Sequence, residues 1–542
     1  MPRVFVHRLL GLLLLACFPI TLSNVAAAPN ATITVNPEVT HQTMKGWEAV
    51  ANAFYDPAVF PIPLTPATMD QIYHRAVNEI GINRIRLEVR SGAETDQDYY
   101  AQYKNGTLPY AQWRCRRYAT VNDNSDPNNL NLSRFFFTEM DDLIDNIAIP
   151  MRQKMQARGE QLYVNLNYVS FVAQITEPGC PAGLQYNHDD SPQEYAEFML
   201  ALFNHMQSKY GFVPNAIEVI LEPDNTPFWR GKQIGDAIVA SAQKLAAAGF
   251  TPKFIAPSNT DMGGTLSYFD ALAAQVPQAL QYMSEISYHR YSGVSDSTLQ
   301  SIASRGVQYN LGTAMLEWWS DASGYQTLHK DVKMGKNSAW QQDVIAAGSG
   351  LSRALINVDN SNPNNPIITV APMTRYTRHY YEFVRRGAVR VDAQSSSGSY
   401  DPLAFRNADG KHVVVVIANS SGEFAVNGLP AGTYGVKYTS LTNSSQFNIS
   451  APDVTIGTGQ TLLTTLPFSA LVTVYAKNAG ATVSCDVNTD GSVNVVDVQL
   501  VVNQALALAP CTADLDGSGG CDIVDVQRVI QTALGAACRI GP

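Results

Sequence analysis

The chain has 542 residues, of which 45% are hydrophobic and 15% charged, with a formal net charge of −10. That length exceeds one small domain and accommodates a barrel with accessory modules. The acidic balance excludes nucleic acid and anionic membrane surfaces as partners, because both require clustered Lys and Arg.

Residues 1–27 read as an export signal. Arg3 and Arg8 precede an apolar run from Leu9 to Leu22, and the small residues Val25, Ala26, Ala27 and Ala28 follow, with cleavage expected after Ala27. An alternative is a lipoprotein box ending in a lipidated Cys17, although Leu at its second position is a poor fit. No later stretch is long and apolar enough to span a bilayer, so a secreted, soluble protein is expected. Removal of Cys17 leaves an even set of cysteines, as suits disulfides in an exported chain. Cys115 and Cys180 can pair across loops. Cys485, Cys511, Cys521 and Cys538 allow three pairings among themselves.

From residue 46 to 387, short apolar strands alternate with helical segments, the pattern of a parallel α/β architecture. Strands are expected over 44–49, 82–87, 161–166, 216–221, 253–256, 285–289, 312–316 and 353–358, with helical spacing between them, as over 192–206. Eight such units predict a closed (β/α)8 TIM barrel. Residues 388–477 change to all-β texture with Gly, Asn and Ser turns, which predicts a β-sandwich side domain. An N-terminal strand within 28–45 is expected to join that sandwich, and 478–484 reads as a linker.

Barrel enzymes place reacting groups at the C-terminal ends of their strands. Glu222, in Ile-Leu-Glu-Pro-Asp-Asn, and Glu317, in Met-Leu-Glu-Trp-Trp, occupy such ends on the fourth and seventh expected strands. Two carboxyl groups facing one bond from opposite walls suit glycoside hydrolysis. One protonates the leaving oxygen and the other attacks the anomeric carbon, with about 5–5.5 Å between them in a retaining enzyme.

This layout resembles clan A glycoside hydrolases, in which the acid/base Glu follows strand 4 and the nucleophile follows strand 7. A sandwich built from both chain ends, entered through Tyr381-Glu-Phe-Val-Arg-Arg-Gly-Ala-Val-Arg390, is similar to glycoside hydrolase family 30. The resemblance covers about residues 32–476 and implies Glu222 as acid/base and Glu317 as nucleophile. It also implies that Arg86 lies beneath the nucleophile and keeps it ionised, and that an aromatic or His residue at the end of strand 6, where His289 and Tyr291 stand as candidate site residues, bonds the nucleophile. One departure stands out: the clan's Asn before the acid/base is Leu221 here, leaving Asn225 as a candidate substitute for contact with the sugar 2-hydroxyl. Asn165 and Asn167 are candidates for substrate hydroxyls. Of Trp47, Trp318, Trp319 and Tyr168, only Trp319 is expected to stack on sugar, the others being barrel core.

The tail repeats itself. Asp486, Asn488, Asp490, Ser492, Asn494 and Asp497 occupy positions 1, 3, 5, 7, 9 and 12 of a calcium loop with Gly491 at the turn, and Asp514, Asp516, Ser518, Gly520, Asp522 and Asp525 recreate it with Gly519. Position 7 contributes its carbonyl, from Ser492 and Gly520. Each loop opens a helix beginning Val-Asp-Val-Gln. Residues 485–538 resemble type I dockerins, which implies a small all-α module holding two Ca2+ and a cohesin-like protein partner; the Val495-Val496 and Ile523-Val524 pairs depart from the Ser-Thr pairs common in that family. No cofactor is expected for catalysis. The leading expectation is a secreted retaining glycoside hydrolase acting on β-glycosidic bonds of a polysaccharide. The alternative is a non-catalytic carbohydrate-binding or scaffold-associated protein with a degenerate barrel site, motivated by Leu221.

Overall fold

The computed structural model describes residues 28–52, 64–185, 188, 191–318, 324–348, 353–443, 445–477, 484–488, 490, 492–509, 511–516, 518 and 520–541. The expected export signal, Trp319 and all but the last residue of the expected linker lie outside these.

After β1 (Thr32–Thr43), eight strands pair in parallel in chain order: β2 (Gly46–Val50), β3 (Arg84–Arg90), β4 (Tyr163–Val169), β5 (Ala216–Glu218), β6 (Lys253–Asp261), β7 (Met283–Ser292), β8 (Gly312–Met315) and β9 (Asn337–Gly348). Strand β9 pairs back onto β2 and closes the barrel. The connecting helices follow from local signals. The helix Pro192–Tyr210 begins with Ser191 accepting the Glu194 N–H and Pro at its first position, and it ends where Gly211 turns left-handed at φ 68°. Its Phe198, Leu202, Phe203 and Met206 are buried against the barrel.

Two expected strands need correction. The eighth barrel strand is Asn337–Gly348, not 353–358. The latter segment forms β10 (Ala354–Asp359), which extends the sheet beyond β9 and pairs with β11 (Ile367–Val370). Strand β9 carries Asn337, Ser338, Gln341, Gln342 and Asp343, all buried, so it lacks the apolar run by which a buried strand is recognised. Strand β5 is also shorter than expected. Beyond Glu218 the chain nevertheless stays laced between its neighbours, with the Leu221 N–H bonded to the Tyr168 carbonyl and the Glu222 N–H to the Ser258 carbonyl.

Polar side chains fill the barrel interior. Arg84 donates through Nε to Glu48 and through one terminal nitrogen to both oxygens of Glu285, at 3.0 and 2.9 Å. Gln341 donates to Glu48 at 2.7 Å, and Asn165 to Glu218 at 2.9 Å. Glu48, Arg84, Asn165, Glu218, Glu285 and Gln341 are all fully buried. The charges of Arg84, Glu48 and Glu285 are tolerable there because they are paired, whereas burial raises the Glu218 carboxyl above its ordinary range.

The second sheet holds β12 (Val389–Ser395), β13 (Tyr400–Arg406), β14 (His412–Ala418), β15 (Gly422–Asn427), β16 (Gly432–Ser440), β17 (Ile449–Ile456), β18 (Leu462–Leu466) and β19 (Ala470–Ala476), in the order β17-β16-β19-β14-β13-β12-β1-β15-β18. Strand β1 thus lies between β12, antiparallel, and β15, parallel. The two-residue period of β14 sorts its side chains: Val414, Val416 and Ala418 enter the core of this sheet, while Val413, Val415 and Ile417 join the barrel core. The last barrel helix, Thr374–Tyr381, carries His379, whose ring nitrogens contact the Thr473 and Thr439 hydroxyls at 2.9 and 2.7 Å. Burial, then the charges of Arg378 and Lys437, bring that imidazole down to about 3, so it bonds as a neutral ring.

The tail forms two helices, Val495–Ala505 and Ile523–Ala533, packed on each other through Val501, Val526 and Val529. Disulfides join Cys115 to Cys180, Cys485 to Cys538 and Cys511 to Cys521, which selects one of the three tail pairings.

Removing the guanidinium of Arg84 leaves two carboxylates without their main partner in the barrel interior. We expect Arg84→Met to cost the fold about 3–5 kcal/mol, read as a lowered urea midpoint of the full chain at unchanged slope.

Candidate active site

Glu222 and Glu317 converge at the mouth of the barrel. Glu222 sits in a left-handed turn at φ 51° before Pro223, a conformation that costs a non-glycine residue and is characteristic of sites that must aim a side chain. Glu317 follows β8. One carboxylate oxygen of each, together with a ring nitrogen of His289, lie within 4.8 Å of one another.

Each glutamate has its own partners. Arg86, on β3, reaches Glu317 Oε2 and also donates to Glu88 at 2.8 Å and to the Leu316 carbonyl at 3.0 Å. Burial works against the Arg86 charge, but Glu317 and then Glu88 hold the guanidinium protonated well above its ordinary range. The Tyr291 hydroxyl donates to Glu317 Oε1 at 2.9 Å. Burial, then the Glu317 charge, push that phenol far up, so it stays a neutral donor. His289, two residues earlier on the same face of β7, does not join Glu317 as expected. Its Nδ1 meets Glu222 Oε1 at 3.1 Å. Asn225 donates to Glu222 Oε2 at 2.9 Å and to Thr260 at 2.8 Å, so its amide orients Glu222.

Burial alone would raise the Glu222 carboxyl. The hydrogen bond and charge of His289, with Asn225 and Thr260, outweigh that and hold it below the usual glutamate range. His289 is the converse: burial lowers it, while Glu222 and Glu317 more than compensate and raise it.

Asn165 requires correction as a substrate contact. It is fully buried, and its amide is committed to Glu48 and Glu218 inside the barrel. Asn167, one step nearer the mouth on the same face of β4, has both amide atoms buried and without a hydrogen-bond partner. Trp47 and Tyr168 are core residues, the Trp47 indole donating to the Val384 carbonyl at 2.6 Å. Trp318 is partly buried with its ring against Trp340. Leu221 packs in an apolar cluster with Tyr118, Val169 and Ile175.

Asp343 escapes sequence reasoning because β9 does. It is buried 2.6 Å from the Arg353 guanidinium, and burial, then the charge of Glu317, raise its carboxyl above the usual range. No local signal in Gln341-Gln-Asp-Val identifies it.

In the tail, Asp497 and Asp525 act alike. Asp497 accepts from the N–H groups of Val487, Asn488 and Asn494 at 2.7–3.1 Å, and Asp525 from those of Leu515, Asp516 and Asp522 at 2.6–3.2 Å. Oxygens of Asp514, Asp516 and Asp525 lie within 4.8 Å of one another. In the first loop, Asp490 accepts from Asn488 and its own N–H bonds Asp486 and Asn488, while the Ser492 N–H bonds Asp490. In the second, the Ser518 N–H bonds Asp514 and Asp516, and its hydroxyl bonds the Gly520 carbonyl. Asn494 and Asp522 serve as helix N-caps, their Oδ1 atoms accepting the Val496 and Val524 N–H at 2.8 and 2.7 Å. These hard, all-oxygen donor sets suit calcium rather than zinc.

Residues 387–459 match the model of the glycosyl hydrolase family 30 beta sandwich domain. Over most of its length the chain is similar in fold to the catalytic domain of GH30 xylanase C from Talaromyces cellulolyticus (TM-score 0.58, 18% identity, covering 82% of this chain and 100% of that one). It is similar also to a GH30 endoxylanase from Clostridium papyrosolvens C71 (0.56, 17%, 82% and 99%). A conserved exported protein from Bacteroides fragilis shares the fold at 14% identity, with a TM-score of 0.59 and coverage of 82% and 100%. At these identities the structural likeness is one of fold. With the sandwich match, it supports a glycoside hydrolase.

A general acid works only while protonated, and a depressed carboxyl loses its proton at lower pH. Activity resting on Glu222 as the acid therefore falls on the alkaline side earlier than for an unassisted glutamate. We expect His289→Ala to move the alkaline limb of the kcat/KM profile upward, because the donor that favours the Glu222 carboxylate is gone. An unmoved limb would detach His289 from that proton.

Proposed function

We propose that the chain is a secreted retaining glycoside hydrolase that cleaves β-glycosidic bonds of a polysaccharide by double displacement. The observation carrying this reading is the approach of Glu222 and Glu317 oxygens to within 4.8 Å, a short separation that suits direct attack and leaves little room for the water an inverting enzyme places between its carboxyl groups. Glu317 attacks the anomeric carbon while Glu222 protonates the leaving oxygen; Glu222 then takes a proton from the water that releases the sugar. Arg86 and Tyr291 fix both oxygens of the nucleophile. Export is supported by the N-terminal signal pattern, the three disulfides and the fold shared with an exported protein. Among the described residues, no helix is long and apolar enough to cross a membrane. Similar structures named as xylanases and an endo-beta1,6-glucanase make xylan and β-1,6-glucan the first substrates to assay.

A non-catalytic sugar-binding barrel is the second reading, favoured by Leu221, which presents no amide to the sugar, and by a Glu222 carboxyl held toward its ionised form. Binding of β-glycans without turnover would select it.

The two glutamate variants should differ. We expect Glu222→Ala to lose about 10²–10⁴ in kcat on natural glycans, to lose far less on aryl glycosides with good leaving groups, and to be rescued by azide as a β-glycosyl azide forms. Glu317→Ala should lose turnover on both substrate types and yield no such β-azide. NMR of the first product should show a retained anomer; inversion, or identical behaviour of the two variants, overturns the assignment.

We further propose that the tail is a dockerin-like module that holds two structural Ca2+ and docks to a cohesin-like protein. The second loop's three converging carboxylates support the ions. Val495, Val496, Ile523 and Val524, exposed at matching places of both copies, support a partner surface. Calorimetry of the full chain, stripped with chelator and then titrated with calcium, should lose about two sites when Asp497 and Asp525 are both changed to Asn. Unchanged stoichiometry would leave the tail a disulfide-bonded appendage.

A further inference from the structure

A second acidic cluster lies in the barrel domain, away from both glutamates and from the tail. Glu194 and Glu197 share one face of the first turns of the helix Pro192–Tyr210, and Asp123 reaches them from the loop that follows the short helix Tyr110–Arg116. One carboxylate oxygen from each lies within 4.8 Å of the others. Glu197 is 1% exposed and Glu194 9%. Asn122 bonds Glu194, and the Glu194 and Glu197 carboxyl groups face each other, but Asp123 Oδ1, Glu194 Oε2 and Glu197 Oε1 are buried with no donor upon them.

Three buried carboxylates with unsatisfied oxygens pointing together are expensive unless a cation or a proton neutralises them. Burial, then the charges of Asp123 and Glu194, push the Glu197 carboxyl up to about 8. Lys244 does not fill the gap; its ammonium bonds the Pro127 carbonyl at 2.5 Å and Asn128 at 3.4 Å. The loop is meanwhile built to hold Asp123 in place. Its N–H bonds Glu94 at 2.8 Å, and its other oxygen accepts the Asn131 N–H at 2.6 Å.

We propose that Asp123, Glu194 and Glu197 bind a calcium ion that pins the loop 120–131 to the helix at the catalytic end of the barrel. Oxygens up to 4.8 Å apart fit opposite sides of an ion whose ligands stand at about 2.3–2.6 Å, and the shell has room for water and loop carbonyls. With no nitrogen or sulfur in the set, zinc is a poor match. The ion would also steady the mouth. Glu94, which holds the Asp123 N–H with one oxygen, contacts His188 Nε2 with the other at 2.6 Å, and His188 Nδ1 meets the Tyr168 hydroxyl on β4 at 2.6 Å.

The test uses the full chain carrying Asp497→Asn and Asp525→Asn, so that calcium bound by the tail does not mask the barrel. Titrated with calcium chloride after chelation, this protein should bind one ion per chain and raise the barrel's Tm by about 2–4 °C. Adding Glu197→Gln should abolish both responses. That variant should also be at least as stable as its parent in chelator, because a neutral amide replaces a buried carboxyl that only a cation would hold ionised, which separates lost binding from misfolding. If the parent binds calcium with no stoichiometric site left after Glu197→Gln, the proposal stands even where the tail substitutions themselves change nothing. If the parent's Tm ignores calcium, or if Glu197→Gln keeps the response, the cluster is not a calcium site.

Discussion

The pairing of Arg86 with Glu317 and Glu88, above that of Arg84 with Glu48 and Glu285, is the constraint on which the barrel depends. A closed eight-stranded barrel is usually filled by branched apolar side chains. Here charges and amides from β2, β3, β4, β5, β7 and β9 fill it, and a buried charge is stable only where its counter-charge is fixed. Strand register supplies the fixing: Glu48 lies beside Arg84, Arg86 beside Asn165, and Asn167 beside Glu218. The same column that satisfies the interior ends at the mouth by delivering a guanidinium to Glu317.

At the mouth, two similar carboxyl groups acquire different surroundings. Glu317 is held between a fixed cation and a neutral phenol, while Glu222 sits in a left-handed turn with an imidazole and an amide upon it. Arg86, Tyr291 and His289 come from strands and Asn225 from the short helical turn directly after Glu222, so the sheet sets most of this geometry. Leu221, packed beside Tyr118, Val169 and Ile175, gives the position before Glu222 to packing, and the orienting amide comes instead from Asn225, three residues after Glu222.

Clusters of side-chain oxygens recur along the chain: in both tail loops and in the barrel around Asp123. A protein with a formal net charge of −10 can gather carboxylates only where backbone N–H groups, arginines or cations compensate them. In the tail, the N–H groups caught by Asp497 and Asp525 stitch each loop to its helix. In the barrel, the N–H groups around Asp123 leave one oxygen of each of three acids without a donor.

The sequence by itself determined most strands of the barrel, the switch to a second sheet, the two glutamates and the repeated loops, because each leaves a local trace: an apolar run, a turn, a polar residue ending a strand, or a pattern repeated at fixed spacing. Only the tertiary structure decided which strand closes the barrel, because the interior that makes Asn337–Gly348 a strand is polar and its partners lie on β2 and β8. It likewise decided that His289 serves Glu222 rather than Glu317, that Asn165 belongs to the interior, that Asp343 is buried beside Arg353, and that Asp123 meets acids far away in the chain. Such roles depend on which side chains share a face and a register across distant segments, and one-dimensional spacing carries no record of that.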